Sequence, residues 1–334
     1  MMIKVAINGF GRIGRLAFRR IITTTDFDIV AINDLGKASD LAYLAKYDTT
    51  HRSFHEDLID AEDDCIVVNK IKKIKVFNET DPSKLPWKDL DIDLVLECTG
   101  LFTKYEDAYK HIEAGAKKVL ISAPSKSDNV KTVVYGVNES ILTSDDVVVS
   151  AASCTTNCLA PIAKVLNDHI GIIKGFMSTI HAYTNDQATL DIAHKKGISS
   201  RRGRACAANI VPTSTGAASA IGKVIPELDG ILDGLAYRVP VTDGSLLELT
   251  FVPARATSID EINHLFETNS SDTLKITYDP IVSSDVIGKS SGALVDGLLT
   301  SANETLVKVT AWYDNEYGYT CQMLRTAKAM FDKK

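Results

Sequence analysis

The sequence lacks several features that would place a chain of 334 residues in a specialised class. It has no apolar run long enough to cross a bilayer, no internal repeat and no low-complexity tract. Its six cysteines follow no regular spacing, which argues against a disulfide scaffold and predicts reduced thiols. A strand-like run begins at once, over residues 3–7, where a signal peptide would have its charged and apolar regions. We therefore expect a cytoplasmic protein that does not enter a membrane.

An excess of positive charge is also absent. The chain has 37 basic and 43 acidic residues and a formal net charge of −6. The basic segment at 194–204 has no aromatic residue between its charges, so we expect no specific nucleic-acid binding. The remaining composition, 45% hydrophobic and 24% charged, is that of an ordinary globular protein, and the length favours two domains.

The first half of the chain alternates short apolar runs with helical patterns. This alternation predicts βαβ units and a mostly parallel sheet with a mixed edge. The predicted helices are Arg12–Ile22, Ala38–Lys46 and Lys104–Ala114; the predicted strands are Ile3–Ile7, Ile29–Ile32, Ile66–Val68, Ile74–Phe77, Leu94–Glu97, Val119–Ile121, Val133–Tyr135 and Val147–Val149.

After about residue 150 the strand-like runs become longer. They predict an α+β domain whose antiparallel sheet is covered on one face. The predicted strands are Ile172–Ala182, Gly230–Val239, Ser245–Val252, Leu274–Tyr278 and Thr305–Tyr313; the predicted helices are Cys158–His169, Thr215–Val224, Ser258–Glu267 and a terminal helix over about Gly318–Phe331.

A glycine pattern, G-x-G-x-x-G, links the first predicted strand to the first predicted helix. Gly9 permits a tight turn, Gly11 lets a pyrophosphate approach the backbone, and Gly14 lets the helix pack closely on the strand. Asp34 ends the next strand, 20 residues after Gly14, where an acid bonds the ribose 2′-hydroxyl and repels a 2′-phosphate. The pattern predicts NAD rather than NADP, bound at Asn8, Gly9, Phe10, Gly11, Arg12, Ile13, Gly14 and Asp34.

Two more turns follow apolar strands of the same half. Thr99-Gly100 comes after Leu94–Glu97, and Ser122 comes after Val119–Ile121. Ligands of open α/β sheets bind at the carboxyl ends of strands, so these turns are candidates for cofactor contacts. Ordinary turn chemistry explains them equally well.

Cys154 lies between an apolar strand and a helical pattern, among small polar residues. A thiol at such a junction faces the positive end of a helix dipole, which favours the reactive thiolate. The alternative is a buried structural cysteine. The neighbours Ser153, Thr155, Thr156 and Asn157 argue against a plain core position, so we predict a catalytic nucleophile.

His181 is the candidate partner of Cys154. It ends an apolar strand at which polar residues begin, including Thr184 and Asp186. A lone histidine on an apolar strand is more often a core residue, but a cysteine nucleophile needs a base. The other six histidines lie in loops or on charged helix faces, so His181 is the predicted base.

Several groups suit phosphate binding. Arg202 belongs to a basic segment, and the planar guanidinium can bond two phosphate oxygens at once. Thr215 and Gly216 open a predicted helix with a hydroxyl and backbone N–H groups. Arg238 interrupts an apolar strand, where either an ion pair or a phosphate would account for its charge. A nucleotide site, a cysteine–histidine pair and anion sites together suggest oxidation of an aldehyde through a thioester. No metal site is predicted.

The chain resembles the glyceraldehyde-3-phosphate dehydrogenases from residue 2 to about 330. The resemblance is carried by Asn8–Arg15, Ala152–Cys158, His181–Thr184, Ser214–Ala218 and Trp312–Glu316. It implies an α/β fold in which a Rossmann-type NAD-binding domain, 1–150, is completed by the terminal helix within 316–334. An α+β catalytic domain with an antiparallel sheet would occupy 151–315.

The resemblance also implies roles. Cys154 would form the thioester and His181 would move protons, so that glyceraldehyde 3-phosphate, NAD and inorganic phosphate give 1,3-bisphosphoglycerate and NADH. Thr184, Asp186 and Arg238 resemble the site for the substrate's own phosphate; Ser153, Thr155, Thr215 and Gly216 resemble the site for the attacking phosphate; Arg202 lies between the two. Asn315 would hold the nicotinamide carboxamide, and the segment Tyr183–Arg204 implies a homotetramer.

Two other functions compete with this reading. A dehydrogenase of erythrose 4-phosphate would use the same cysteine and cofactor. A catalytically silent NAD-binding protein with a regulatory or adhesive role is the second alternative. The presence of Cys154, His181, Arg202 and Arg238 together argues against the silent protein.

Overall fold

The computed structural model describes residues 2–194, 197, 199–303 and 305–332. These residues divide into two compact units, each with its own sheet. Unit 1 holds the described residues within 1–133, 139–152 and 323–334, and unit 2 holds those within 134–138 and 153–322. None of the described helices is long and apolar enough to cross a membrane.

Unit 1 is built on a nine-stranded sheet with the order β3-β4-β5-β2-β1-β6-β7-β9-β8. Its strands are β1 (Ile3–Asn8), β2 (Phe27–Asn33), β3 (Ile59–Glu62), β4 (Cys65–Val68), β5 (Lys72–Phe77), β6 (Leu94–Glu97), β7 (Lys118–Ile121), β8 (Lys131–Thr132) and β9 (Val148–Ser150). Its helices are α1 (Arg12–Ile21), α2 (Ala38–Lys46) and α3 (Tyr105–Glu113), and the last turns of α7 (Tyr317–Ala329) also belong to it.

The central strands of unit 1 are parallel, and β1, β2 and β6 are each followed by a helix, as parallel connections usually are. They are apolar almost throughout; in β6, for example, all four residues are buried. The β3–β4 and β4–β5 pairs are antiparallel, which confirms the predicted mixed edge. The carboxyl ends of β1, β2 and β6 lie side by side and present polar residues there.

One predicted strand of the first half is wrong. Val133–Tyr135 was expected to be a strand, but the strand β8 ends at Thr132. The chain passes from unit 1 to unit 2 after Val133, and the Val134 N–H is bonded to Asn138 Oδ1 at 2.8 Å instead of to a neighbouring strand. The apolar run is buried by packing within a turn, which an apolar pattern alone cannot distinguish from a strand.

Unit 2 contains an eight-stranded sheet. The order is β11-β12-β10-β13-β17-β15-β14, and β16 pairs with β17. The strands are β10 (Ile172–Ala182), β11 (Val211–Ser214), β12 (Leu232–Val239), β13 (Ser245–Pro253), β14 (Leu274–Thr277), β15 (Ala293–Asp296), β16 (Ser301–Ala302) and β17 (Val307–Tyr313); the helices are α4 (Cys154–His169), α5 (Ala217–Val224), α6 (Ile259–Thr268) and the first part of α7, 317–322.

The sheet of unit 2 is mostly antiparallel, as predicted, but β10–β12 and β14–β15 are parallel pairs. Helix α4 packs on one side of it, against β10, β13 and β17. Large apolar side chains remain exposed elsewhere on the adjacent strands β10 and β12, namely Phe176, Ile180 and Leu235. The prediction of a sheet covered on one face agrees with this distribution.

Candidate active site

Cys154 is the first residue of helix α4, which is longer than the predicted Cys158–His169. The side chain of Ser153 caps the helix by accepting a hydrogen bond from the Thr156 N–H at 3.1 Å. Pro161 favours a helix that starts later in the sequence, because proline is usually tolerated only in the first turn of a helix. The cap at Ser153 nevertheless starts the helix at Cys154. Ala152, two residues before the thiol, has a φ of +58°, so the chain turns sharply into the helix.

The thiol of Cys154 faces an imidazole. Cys154 Sγ lies 3.4 Å from His181 Nε2 near the end of β10. His181 Nδ1 lies 2.7 Å from the carbonyl oxygen of Ala182. A proton on Nδ1 would be donated to this carbonyl and would leave Nε2 as the acceptor that faces the sulfur. The structure therefore brings together the two residues that the sequence proposed as nucleophile and base.

Burial governs the protonation of this pair. It raises the pKa of the Cys154 thiol, while the charge of Arg238 and hydrogen bonding from Thr155 act in the opposite direction. Burial, followed by the charge of Arg238, lowers the pKa of His181 to about 3. At neutral pH the pair is thus a thiol facing a neutral imidazole. A thiol that faces a neutral base suits proton transfer during nucleophilic attack.

Tyr313, at the end of β17, supports both members of the pair. Its Oη lies 3.0 Å from Thr155 Oγ1 and 2.7 Å from Thr179 Oγ1. Its ring meets the ring of His181 edge-on, with centroids 5.9 Å apart. The sequence did not indicate a role for Tyr313. An aromatic residue at the end of an apolar strand looks the same in sequence whether it contacts an active site or only packs in the core.

Arg238 lies beside His181 because β10 and β12 are paired in parallel, with these two residues opposite each other. Arg238 Nη1 is 2.9 Å from His181 Nδ1 and 2.9 Å from the Ala182 carbonyl, and it donates to Thr184 Oγ1 at 3.2 Å. The Thr184 hydroxyl in turn donates to Asp186 Oδ1 at 2.5 Å. An arginine, a hydroxyl and the imidazole are therefore gathered at one end of β10.

Arg202 extends this cluster. It is paired with the carboxylate of Asp186 and donates from Nε to Thr213 Oγ1 at 3.0 Å. Together with Arg238 it gives the cluster two guanidinium groups against one carboxylate, so the net charge favours an anion. Lys195 and Lys196 of the same basic segment lie outside the described residues.

The four residues proposed for the attacking phosphate fall into two pairs with different surroundings. Thr215 and Gly216 precede α5, where Thr215 Oγ1 accepts from the Ala217 N–H at 3.2 Å and a side chain added at Gly216 would meet no atom of the described residues within 4 Å. The hydroxyl of Thr155 is buried against Tyr313, and that of Ser153 is occupied by the helix cap. Thr155 and Ser153 thus have structural partners that the sequence did not reveal.

Unit 1 contains a separate cleft of about 350 Å³ at the carboxyl ends of its central strands. The predicted residues Asn8, Gly9, Gly11, Asp34 and Thr99 line it. Residues that sequence reasoning missed also line it: Asn33, Leu35, Glu79, Thr80, Cys98, Leu101 and Phe102. The strand order could have indicated Asn33, Glu79 and Cys98, because they follow or end neighbouring strands.

The glycines of the cleft fit a dinucleotide. Gly9 has a φ of +91°, and a side chain at Gly14 would lie 2.1 Å from the Gly9 carbonyl oxygen, so the helix approaches the turn closely. A side chain at Gly11 would meet no atom within 4 Å in the part of the chain that the structure describes, so the backbone there is open beside the start of α1. An anion can approach that helix end. The exposed apolar side chains of Leu35 and Leu101 suit a flat base.

Asp34 is held rigidly at the edge of the cleft. Its Oδ2 accepts from the Phe10 N–H at 2.7 Å and its Oδ1 accepts from the Gly36 N–H at 2.9 Å. The carboxylate therefore fixes the conformation of the glycine turn as well as presenting negative charge where a ribose would lie. This charge fits NAD, whose ribose carries a hydroxyl there, and opposes a 2′-phosphate.

Other predicted cofactor residues have different surroundings. The Phe10 side chain is buried against Phe18, and the Arg12 guanidinium is paired with Asp48. Ser122 donates its N–H to the Glu97 carbonyl at 2.9 Å. Asn315, in unit 2, is buried and accepts from Ser245 Oγ at 2.6 Å. None of Phe10, Arg12, Ile13, Gly100 or Ser122 is among the described residues that line the cleft.

Comparison with known proteins yields matches over both halves of the chain. Residues 3–105 match the family model of the glyceraldehyde 3-phosphate dehydrogenase NAD binding domain, and residues 153–315 match that of the C-terminal domain. Proteins named glyceraldehyde-3-phosphate dehydrogenase from Clostridium acetobutylicum and Clostridium pasteurianum are each 55% identical over 329 residues, 97% of either chain. One from Streptococcus pyogenes is 53% identical over 331 residues, 98% of this chain and 97% of the relative.

Proposed function

The chain belongs to the glyceraldehyde-3-phosphate dehydrogenase family, and from this premise we propose how its own residues perform the reaction. It is an NAD-dependent oxidoreductase of glycolysis that converts glyceraldehyde 3-phosphate and inorganic phosphate to 1,3-bisphosphoglycerate. The resemblance drawn from its motifs is thereby confirmed, whereas the residue roles below are proposals.

In the first step, Cys154 Sγ attacks the aldehyde carbon while His181 Nε2 takes the thiol proton. A carbon–sulfur bond forms as the carbon–oxygen double bond becomes single, and His181 returns the proton to that oxygen to give a hemithioacetal. The contact of 3.4 Å between sulfur and nitrogen supports this transfer. His181 is neutral at physiological pH, since its pKa is lowered to about 3, so it can accept the proton.

In the second step, the hemithioacetal is oxidised. NAD, when bound, supplies the nicotinamide that accepts the hydride. His181 takes the hydroxyl proton as the hydride leaves the carbon, and a thioester remains on Cys154. We propose that the ring proton lies on Nδ1, facing the Ala182 carbonyl at 2.7 Å, so that Nε2 is available for this second transfer.

In the third step, an oxygen of inorganic phosphate forms a bond to the thioester carbon and the carbon–sulfur bond breaks. The sulfur of Cys154 leaves and is reprotonated, and the acyl phosphate is the product. Thr215 and Gly216 are proposed to hold the attacking phosphate at the start of α5. Thr184, Asp186 and Arg238 are proposed to hold the phosphate of the substrate, with Arg202 between the two groups.

We assign NAD binding to unit 1 and the covalent chemistry to unit 2. The proposed assembly is a homotetramer. The exposed apolar side chains Phe176, Ile180 and Leu235 support self-association, because a contiguous apolar group on a sheet is usually covered by a partner. A cytoplasmic location is proposed from the family and from the lack of a membrane-spanning helix among the described residues.

The observation that carries this proposal is the contact between Cys154 and His181. Its test is the variant Cys154→Ser, because a serine hydroxyl is far less acidic than a thiol and a histidine as weakly basic as His181 cannot activate it. We expect the variant to fold and to bind NAD as the wild type does, and to lose nearly all turnover. Cys65→Ser, which changes a partly exposed thiol of unit 1, is the matched control. Turnover above a tenth of the wild-type value in Cys154→Ser would refute the covalent route.

A further inference from the structure

A buried polar network lies next to the cofactor cleft, and the mechanism above makes no use of it. Its centre is Glu97, the last residue of β6, which is 1% exposed. A buried carboxylate is tolerated only when hydrogen bonds replace its lost hydration. The partners of Glu97 therefore indicate what this residue does.

Each carboxylate oxygen of Glu97 accepts hydrogen bonds from a different segment. Oε1 accepts from the Thr99 N–H at 2.8 Å and also from the Thr99 hydroxyl. Oε2 accepts from Asn8 Nδ2 at 2.5 Å and from His111 Nε2 at 3.2 Å. Every one of these groups is a donor, so the side chain acts as an acceptor on both sides at once.

The donor role of His111 is set by Trp87. Trp87 Nε1 lies 2.9 Å from His111 Nδ1, and an indole N–H can only donate. His111 Nδ1 therefore carries no proton, and the ring proton is on Nε2, where it points to Glu97. Trp87 and His111 are fully buried and stack with a centroid separation of 6.3 Å, so this orientation is fixed by packing.

The two segments held by Glu97 both line the cofactor cleft. Asn8 directly precedes the glycine turn, and Thr99 begins the turn after β6. The turns touch, since a side chain at Gly9 would lie 2.7 Å from the Thr99 nitrogen. Asn8 Oδ1 also accepts from Asn33 Nδ2 at 2.7 Å, which extends the network to the end of β2.

We infer that Glu97 is a positioning residue for the cofactor: it joins the glycine turn to the Thr99 turn, and His111 and Trp87 keep it in place. The inference rests on the proposed NAD site. Glu97 itself lies beneath the cleft and is not among the described residues that line it. Its effect should therefore appear in cofactor affinity and not in the chemistry on Cys154.

The first test is Glu97→Gln, which keeps the shape of the side chain but turns one acceptor into a donor. Whichever oxygen is replaced, the new amide N–H faces groups that also donate. Either the glycine turn or the Thr99 turn therefore loses its hydrogen bonds to residue 97. We expect the dissociation constant for NAD, measured by titration calorimetry, to rise about tenfold or more, as for the loss of a hydrogen bond to a charged group. The kcat at saturating NAD and the KM for the aldehyde should stay within about twofold of wild type. Glu106→Gln on α3, an exposed site, is the control and should leave NAD affinity unchanged.

A second pair of variants remains decisive if Glu97→Gln does not fold. His111→Gln can imitate the imidazole, since its amide oxygen can accept from Trp87 and its amide nitrogen can donate to Glu97. His111→Leu removes both functions at similar volume. His111 does not line the cleft, but its ring meets Phe102, which does, edge-on with centroids 6.4 Å apart. Both variants remove this ring contact, so a difference between them reports on the hydrogen bonds of the imidazole and not on its packing. We expect His111→Leu to weaken NAD binding several-fold and His111→Gln to restore it.

The outcomes separate this inference from the proposed function. If the wild-type protein does not bind NAD, the proposed function fails and the inference fails with it. If the wild type binds NAD and a folded Glu97→Gln binds it equally well, only the inference is overturned. Equal NAD affinity in His111→Leu and His111→Gln would overturn it too.

Discussion

At the scale of single residues, the chemistry of the site depends on how burial sets the protonation of Cys154 and His181. Burial raises the pKa of the thiol and lowers the pKa of the imidazole, so both are neutral until a substrate is attacked. The sulfur then needs the nitrogen 3.4 Å away to accept its proton. The base is thus required for the attack itself.

This dependence leads to a prediction for His181→Asn. Acylation should slow by about 10²–10⁴-fold, the usual contribution of a positioned acid–base group. The thiol would keep its burial-raised pKa but lose its proton acceptor, so alkylation of Cys154 by iodoacetamide should be slower at pH 7 and should recover only at higher pH. The measurement is the pH profile of alkylation, followed by mass spectrometry, in both proteins. Superimposable profiles would show that the imidazole does not assist the sulfur.

Single residues also mark the limit of sequence reasoning. Cys154 and His181 were predictable because their polar neighbours in the sequence indicate a functional site. Tyr313 and Glu97 were not, because each ends an apolar strand and its importance depends on partners distant in sequence, such as Thr179 for Tyr313 and His111 for Glu97. Such partners are known only after the strands are paired.

At the scale of elements, the start of α4 positions the nucleophile. Ala152 adopts the left-handed region with a φ of +58° and is fully buried, and Ser153 caps the helix that begins at Cys154. Left-handed backbone is unfavourable for residues with a side chain, and most of all for β-branched residues. The turn before the nucleophile is therefore held in a strained conformation by its surroundings.

Two substitutions at this turn should behave differently. Ala152→Gly removes the strain and a buried methyl group together, so we expect stability within about 1 kcal/mol of wild type and retained turnover. Ala152→Val places a β-branched residue at positive φ in a filled space, so we expect a loss of about 2–4 kcal/mol and lower turnover. Urea unfolding and steady-state rates measure both. Equal stability of the two variants would mean that the positive φ does not constrain this turn.

Sequence patterns located most of the elements because apolar periodicity and glycine turns are local signals. The bounds of α2 and β6 were predicted to the residue. The parallel pairing of β10 with β12, which brings Arg238 to His181, was not predicted, since pairing depends on contacts between segments about 57 residues apart. The strand predicted over Val133–Tyr135 was wrong for a related reason, because residues buried within a turn show the same apolar pattern as residues buried in a strand.

At the scale of the whole molecule, folding couples to pH through buried carboxyl groups. Asp243 is buried near the carboxyl groups of Asp314 and Glu316 in unit 2. Burial, together with the charges of these neighbours, raises the pKa of Asp243 from 3.8 to about 10. Between these values the folded protein holds a proton that the unfolded chain releases, so stability falls as pH rises through this window.

The variant Asp243→Asn should remove this part of the pH dependence, because an amide is neutral in both states. As the pH rises from 6 to 9, the unfolding free energy of the variant should rise by about 1–3 kcal/mol relative to that of the wild type. The experiment is urea unfolding of both proteins at the two pH values. If the unfolding free energies of the two proteins change by the same amount between the two pH values, Asp243 is already ionised in the folded protein and its raised pKa is wrong.

The two units together make one prediction about the complete enzyme, that the aldehyde is oxidised on Cys154 and released only by phosphate. The direct measurement is NADH formation from glyceraldehyde 3-phosphate and NAD, followed by absorbance with and without inorganic phosphate. We predict steady turnover with phosphate, and a single burst of about one NADH per active site without it. Steady turnover that does not depend on phosphate would mean that water resolves the thioester, and it would contradict the phosphorylating mechanism.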